Sequence, residues 1–239
     1  MKKTVMALSL VIVVGLSSCI SSLNPLITYT NIECFDAAIG MWKDDDAMEV
    51  KIEKFHGSGL EREFQMQEKK DSEKKGHKPK PLSQEEIKYQ NNVYILSFIK
   101  NGVQHVMILS FTRINSNLFA QFAPLIAFEE NKKSYDAGLI IKNDTAHRAL
   151  WDFGKDQTFS FAKVKLNAGQ LQFIPFNGDY MQTLLAKGAV SIPFEEDRWF
   201  DTTLITASAD QLQKFFHKYG NDERLFNKKH TLVFKPTVL

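Results

Sequence analysis

The chain has 239 residues, 44% hydrophobic and 12% aromatic, with 19 phenylalanines. That is enough apolar material for one large domain or a two-lobed one, and its Phe, Val and Ile content favours strands over helices. The formal charge of +2 is no larger than the contribution of Lys2 and Lys3; without them acidic and basic side chains balance. A neutral surface argues against a nucleic-acid partner, which needs a basic stripe to displace counterions.

The basic tip is followed by an apolar run from Val5 to Leu16 and then by Leu16-Ser17-Ser18-Cys19. The run is too short for a hydrocarbon core that needs about 20 helical residues, and it suits the apolar region of an export signal. The four residues resemble the lipobox cut by the lipoprotein signal peptidase of bacteria. The resemblance implies a signal peptide over 1–18, cleavage before Cys19, and acylation of the Cys19 thiol and new amino group. It further implies a lipid-anchored protein of the bacterial cell envelope, sorted to the outer membrane where the host has one, because Ile20 and not Asp follows the cysteine. Lipidation leaves Cys34 without an intramolecular partner. Between Glu33 and Phe35 it is expected to be a small buried apolar residue, with a reactive or intermolecular thiol as the alternative.

Residues 19–38, opening with Ser21, Ser22, Asn24 and Pro25, read as anchor and tether, and a single β-rich domain is expected over 39–239. Ile39-Gly40-Met41-Trp42 opens the fold, Asp44-Asp45-Asp46 makes an acidic turn, and Met48, Val50 and Ile52 alternate with charged residues as in a half-exposed strand. After the turn His56-Gly57-Ser58-Gly59, Phe64 and Met66 alternate on an expected second strand. The charged stretch from about 68 to 86 buries too little to offset chain ordering and reads as a mobile insertion, with capping-box spacing at Ser83 for one helical turn. Val93 to Ile99 and Val103 to Phe111 form a hairpin across Asn101-Gly102, a type I′ pair. Asn115-Ser116-Asn117 turns into Leu118, Ala120 and Phe122. Ala137 to Ile141 is a candidate strand. Thr158 to Leu166 and Gln170 to Pro175 pair across Asn167-Ala168-Gly169.

Two helices are signalled. The first runs from a capping box at Asp179 to Gly188, with Met181, Leu184 and Leu185 on one face. The second is capped by Ser208 and ended by Gly220. Its Leu212, Phe215, Phe216 and Tyr219 fall at i, i+3, i+4 and i+7, a stripe that plugs a barrel end or covers a sheet face. Thr202 to Thr206 and Thr231 to Phe234 read as strands. The fold class is thus mainly β: an antiparallel meander, barrel-like or strongly curved, with two short packed helices.

Motifs of chemistry are missing. The six histidines have no zinc-site spacing, and the Asp44–Asp46 run lacks the frame of a calcium loop. His56 stands where a G-x-S-x-G elbow around Ser58 needs glycine, and no phosphate-binding glycine loop exists. Glu195, Glu196 and Asp197 are sequence neighbours on an expected loop surface. The reading is therefore no catalytic residue, no metal and no cofactor.

Gly40-x-Trp42 at the first strand of a meander resembles the lipocalin signature, which implies a tryptophan across the closed end of a β-barrel. Gly40-Met41-Trp42, Leu118 to Phe122, Leu204 to Ser208, Leu212, Phe215 and Leu225-Phe226 resemble a group of uncharacterised bacterial lipoproteins, which implies envelope location and no activity. Function is expected to be non-enzymatic binding of a small apolar ligand or an envelope protein. For the ligand reading Phe98, Phe111, Phe122, Phe161 and Phe173 are the candidate lining. The alternative is an interaction module with a filled core; an enzyme with a site unreadable in sequence ranks below both.

Overall fold

The computed structural model describes residues 20–62, 65, 66, 69, 83–100, 103–129, 158–197 and 202–237, and among them eleven strands, three continuous α-helices and a partly described helical stretch after Ser58 are found. The strands are β1 (Ile20–Ser22), β2 (Gly40–Lys43), β3 (Glu49–Lys54), β4 (Tyr94–Lys100), β5 (Val103–Ile114) and β6 (Asn117–Glu129). They continue with β7 (Ser160–Asn167), β8 (Gln170–Pro175), β9 (Phe194–Asp197), β10 (Thr202–Ile205) and β11 (Leu232–Pro236). The helices are α1 (Gln84–Asn92), α2 (Gly178–Ala186) and α3 (Ala209–Tyr219). Eight strands close a barrel in the order β11-β2-β3-β4-β5-β6-β7-β8, and β1-β10-β9 form a separate sheet. The mainly β, barrel-forming architecture is the one expected.

Packing divides the chain into two compact units. One holds the described residues of Met1–Leu26, Thr112–Phe122 and Thr158–Val233; the other holds those of Ile27–Phe111, Ala123–Gln157 and Phe234–Leu239.

In the first unit, the register pairs Phe119 with Lys163 and Lys163 with Ile174, so these residues and Phe161 share one sheet face. Leu118, Ala120, Phe122, Val164 and Phe173 occupy the other. The β7–β8 turn takes positive φ at Ala168 (48°) and Gly169 (77°), the two left-handed positions of a type I′ hairpin. Helix α3 starts in a capping box: Gln211 N donates to Ser208 Oγ, and Ser208 N donates to Gln211 Oε1 at 2.9 Å. Its Phe216 ring lies 5.1 Å from Phe119 and 5.7 Å from Phe161 and from Phe176. The helix therefore covers a sheet face.

In the second unit, cross-strand register aligns Trp42, Val50, Phe98 and His105 in one row and Gly40, Ile52, Leu96 and Met107 in the next. Gly40 has φ +148°, backbone that other residues rarely adopt, and Trp42 Nε1 donates to Ala38 O at 2.8 Å. The acidic turn is structural: Met48 N donates to Asp44 Oδ1 at 2.7 Å, and Asp45 pairs with Lys235 at 2.7 Å.

Several expectations change. Residues 59–62, 65 and 66 are helical rather than extended, because Ser58 Oγ accepts from Glu61 N at 3.0 Å and caps a first turn. The capping box at Ser83 starts a nine-residue helix, longer than the single turn expected and additional to the two helices predicted. Helix α2 is capped by Asn177, two residues before Asp179. The 195–197 loop is strand β9. Register pairs Lys100 directly with Val103, as a two-residue hairpin requires, although Asn101 and Gly102 lie outside the described residues. So do Phe64, residues 70–82 of the insertion, and the candidate strand Ala137 to Ile141.

Candidate functional site

The start of the segment read as a tether, Ile20 to Leu26, is sewn into the first unit. Ser22 and Phe159 exchange backbone hydrogen bonds of 3.0 and 2.7 Å, and Leu23 N donates to Ile205 O at 2.9 Å. Asn24 Nδ2 donates to the carbonyls of Thr206 and Ala207 at 3.2 and 3.0 Å, while Leu26 N donates to Gln121 Oε1 at 2.7 Å. The polar residues that looked solvated in sequence satisfy backbone groups in a parallel pairing of β1 with β10, 183 residues away. Cys19 itself, with the whole signal segment, lies outside the described residues.

The five candidate phenylalanines are all buried, but they do not share one face. Phe122 and Phe173 meet edge to face at 5.3 Å. Phe161 points to the opposite side of the same sheet, against Phe216. Phe98 and Phe111 lie on one face of the β4–β5 pair, where Phe98 stacks on His105 at 4.9 Å and Phe111 packs between Phe35 and Tyr94 at 5.0 and 5.4 Å. A ligand touching Phe122 from its own side of the sheet would not reach Phe161.

Titratable groups gather at Cys34, which is exposed and not buried as expected. Its Sγ donates to Asp36 Oδ1 at 3.1 Å; Tyr94 Oη donates to the same oxygen at 2.9 Å, and Lys54 Nζ lies 2.9 Å from Asp36 Oδ2. Tyr94 Oη also accepts from Phe35 N at 2.6 Å. The Lys54 ammonium, helped by the thiol, holds the Asp36 carboxyl below the usual carboxylate range, and burial pushes the Tyr94 phenol far up. Asp36 thus stays ionised with three donors around it, and Tyr94 stays neutral. That arrangement pins residues 34–36 to β4 and leaves no poised general base. Sequence reasoning noticed Cys34 but not Asp36, Lys54 or Tyr94. The Cys-x-Asp spacing is a weak local signal, and Tyr94 is 58 residues from Asp36.

Beside α2 an open depression of about 820 Å³ is lined by Asn177, Tyr180, Thr183, Arg224, Lys228 and His230, among others. Two of its cations, Arg224 and Lys228, are engaged. Arg224 forks onto Asp222 at 2.9 and 2.8 Å and lies 5.0 Å from the Tyr180 ring centroid, while Lys228 pairs with Glu223. Arg224 lowers the Asp222 carboxyl and Lys228 lowers that of Glu223, so both remain ionised partners. Ser58, weighed as a nucleophile, is a helix cap, and Glu61 beside it accepts from Gly57 N at 2.6 Å. Among the described residues no three His, Cys, Asp or Glu side chains gather as a metal site, and no helix is long and apolar enough to cross a membrane.

Strand β9 sits at the end of the β1-β10-β9 order, with a strand neighbour on one side only among the described residues. Phe194, Glu195 and Glu196 on it are exposed. Comparison with known proteins finds no matching family model, no matching curated protein and no matching solved structure.

Proposed function

We propose that this protein is a lipid-anchored lipoprotein of the bacterial cell envelope, held by acylated Cys19 and acting as a non-enzymatic binding module for a partner protein. Where the host has an outer membrane, Ile20 favours that membrane. The observation that carries the partner reading is strand β9, which among the described residues has a strand neighbour on one side only and exposes the side chains of Phe194, Glu195 and Glu196. Such an edge accepts an added strand from a partner, and its carboxylates select a basic one. A second reading, a carrier of a small apolar ligand, is favoured by the closed eight-stranded barrel, an architecture wide enough to hold one such molecule.

Anchoring is tested by Cys19→Ser. The wild-type N-terminal peptide should carry acyl mass and the protein should enter the detergent phase, while the variant remains an uncleaved or soluble precursor. Equal partitioning of both, with no lipid on the wild type, would remove the anchor. Partner and carrier are separated by a photo-crosslinker placed at Glu195 in cells and by mass spectrometry of organic extracts from the purified protein. A discrete crosslinked protein, lost on Glu196→Lys, supports the module. A stoichiometric apolar molecule in the extract and no crosslink supports the carrier.

A further inference from the structure

The depression beside α2 stands on a fixed frame within the first unit. Asn177 N donates to Leu225 O at 2.7 Å and Asn227 N to Pro175 O at 2.8 Å, on either side of a backbone bridge between Phe176 and Phe226. Asn177 also caps α2 and donates through Nδ2 to Arg224 O at 2.9 Å. Asn227 Oδ1 accepts from Lys229 N at 3.2 Å and sets the 3-10 turn Lys228–His230. The walls are therefore preformed, as those of small-molecule sites generally are.

The side made by the 3-10 turns is cationic. Arg224, Lys228, Lys229 and His230 line it with a single carboxylate, Glu223. Two further lysines stand behind it. Lys163 Nζ lies 5.3 Å from the ring centroid of Phe226, itself part of the lining, and Lys165 shares the sheet face of Lys163 on β7. Lys228 foremost, then Lys163 and Lys165, hold the Glu223 carboxyl below its ordinary range, while repulsion from Lys165 and Lys228 adds to burial in lowering Lys163. Arg224 is matched by Asp222 and Lys228 by Glu223. Lys163, Lys165 and Lys229 are left against one carboxylate of the lining, Asp179, and the side chains of Lys229 and His230 make no hydrogen bond or ion pair among the described residues. The Lys228–Glu223 pair is exposed on both sides, where pairing is weak, so Lys228 can turn to a second anion.

The α2 side suits hydroxyls. The Asp179 carboxylate accepts hydrogen bonds, and Thr183 Oγ1, whose proton goes to Asp179 O at 2.9 Å, keeps its lone pairs for accepting. A volume of about 820 Å³ takes a whole small molecule. We propose that the depression between α2 and the Lys228–His230 turn binds a small phosphate monoester of a polyol or sugar. Its phosphate lies on Lys228, Lys229 and His230, and its hydroxyls lie toward Asp179 and Thr183. The site depends on neither the lipid anchor nor strand β9.

The test is calorimetric titration of the full protein, in non-ionic detergent at constant ionic strength, with glycerol 3-phosphate. Binding should saturate at one ligand per chain, and glycerol should give no heat of binding. Lys229→Gln and His230→Gln, each checked as folded by its thermal midpoint, should weaken binding singly and by about tenfold or more together, through the loss of two charge-assisted contacts. Lys187→Gln, at the far end of α2 and outside the lining, should leave it unchanged. Water-soluble dibutanoyl phosphatidic acid carries the same phosphate with both hydroxyls esterified and should bind more weakly. Equal or tighter binding of that compound would assign the phosphate to a lipid headgroup and overturn the polyol portion. No saturable heat with glycerol 3-phosphate, or equal weakening by Lys187→Gln, overturns the site.

Discussion

Phe119 of β6 and Phe216 of α3 meet edge to face, ring centroids 5.1 Å apart, and this contact ties the last helix to the sheet. Phe216 also touches Phe161, Phe176 and Phe215, whereas Phe215, buried as well, packs on Phe176, Tyr219 and Phe216. Phe216→Ala should therefore cost about 3–5 kcal/mol, the range for truncating a buried aromatic, and Phe215→Ala less. Denaturant midpoints read the order directly. A Phe216→Ala protein as stable as wild type would mean that the helix is an exposed interface, not a cover.

Gly220 ends the same helix with φ −61°, so no left-handed backbone explains it. The reason is space. A Cβ there would sit 2.4 Å from the Phe216 carbonyl oxygen and 3.0 Å from Phe119 Cζ. Gly220→Ala should cost about 1–3 kcal/mol by overpacking, more than any gain in chain stiffness returns. A neutral or stabilising effect in thermal melts would show that the helix end has room to shift.

Lys163 is buried on β7 beneath that helix end, its Nζ 3.4 Å from Gly220 O and 5.3 Å from the Phe226 ring centroid. Burial pushes its ammonium below the ordinary lysine range. Between the folded value and the unfolded value near about 10.4, the unfolded chain binds more protons, so this group adds stability as pH rises through that window and lacks it below. Lys163→Met should be neutral or stabilising near neutral pH, and its advantage should shrink as pH climbs toward about 10.4. Denaturation of both proteins across that range checks the sign; an advantage that grows with pH would mean that the helix terminus outweighs desolvation.

Exposure of Cys34 makes it chemically accessible despite its bond to Asp36. In the Cys19→Ser protein, where it is the remaining cysteine, a maleimide should add one label per chain under native conditions without denaturant. Intact mass reports the addition. Labelling that requires unfolding would return Cys34 to the buried role expected from its neighbours.

What the sequence determined on its own was local. Alternation at Val50 and Ile52, the turns at Asn115 and at Ala168-Gly169, and the caps at Ser83 and Ser208 are set by side-chain period and by groups a few residues apart, and each appears where the pattern requires it. The stripe of α3 was legible for the same reason, but not what lay beneath it, because the partner strand is nearly a hundred residues upstream. Tertiary structure alone decided the rest. Ser21, Ser22 and Asn24 have the composition of a solvated linker; only the distant backbone of β10 and its continuation turns them into a paired strand. Phe122 and Phe161 look equivalent in sequence, yet register sends them to opposite faces of one sheet. Cys34, Asp36, Lys54 and Tyr94 form a network through contacts across long stretches of chain, and Lys163 lies buried because α3 closes over it. Spacing along a chain encodes period and caps, whereas burial and proximity depend on which distant strand arrives at hydrogen-bonding distance.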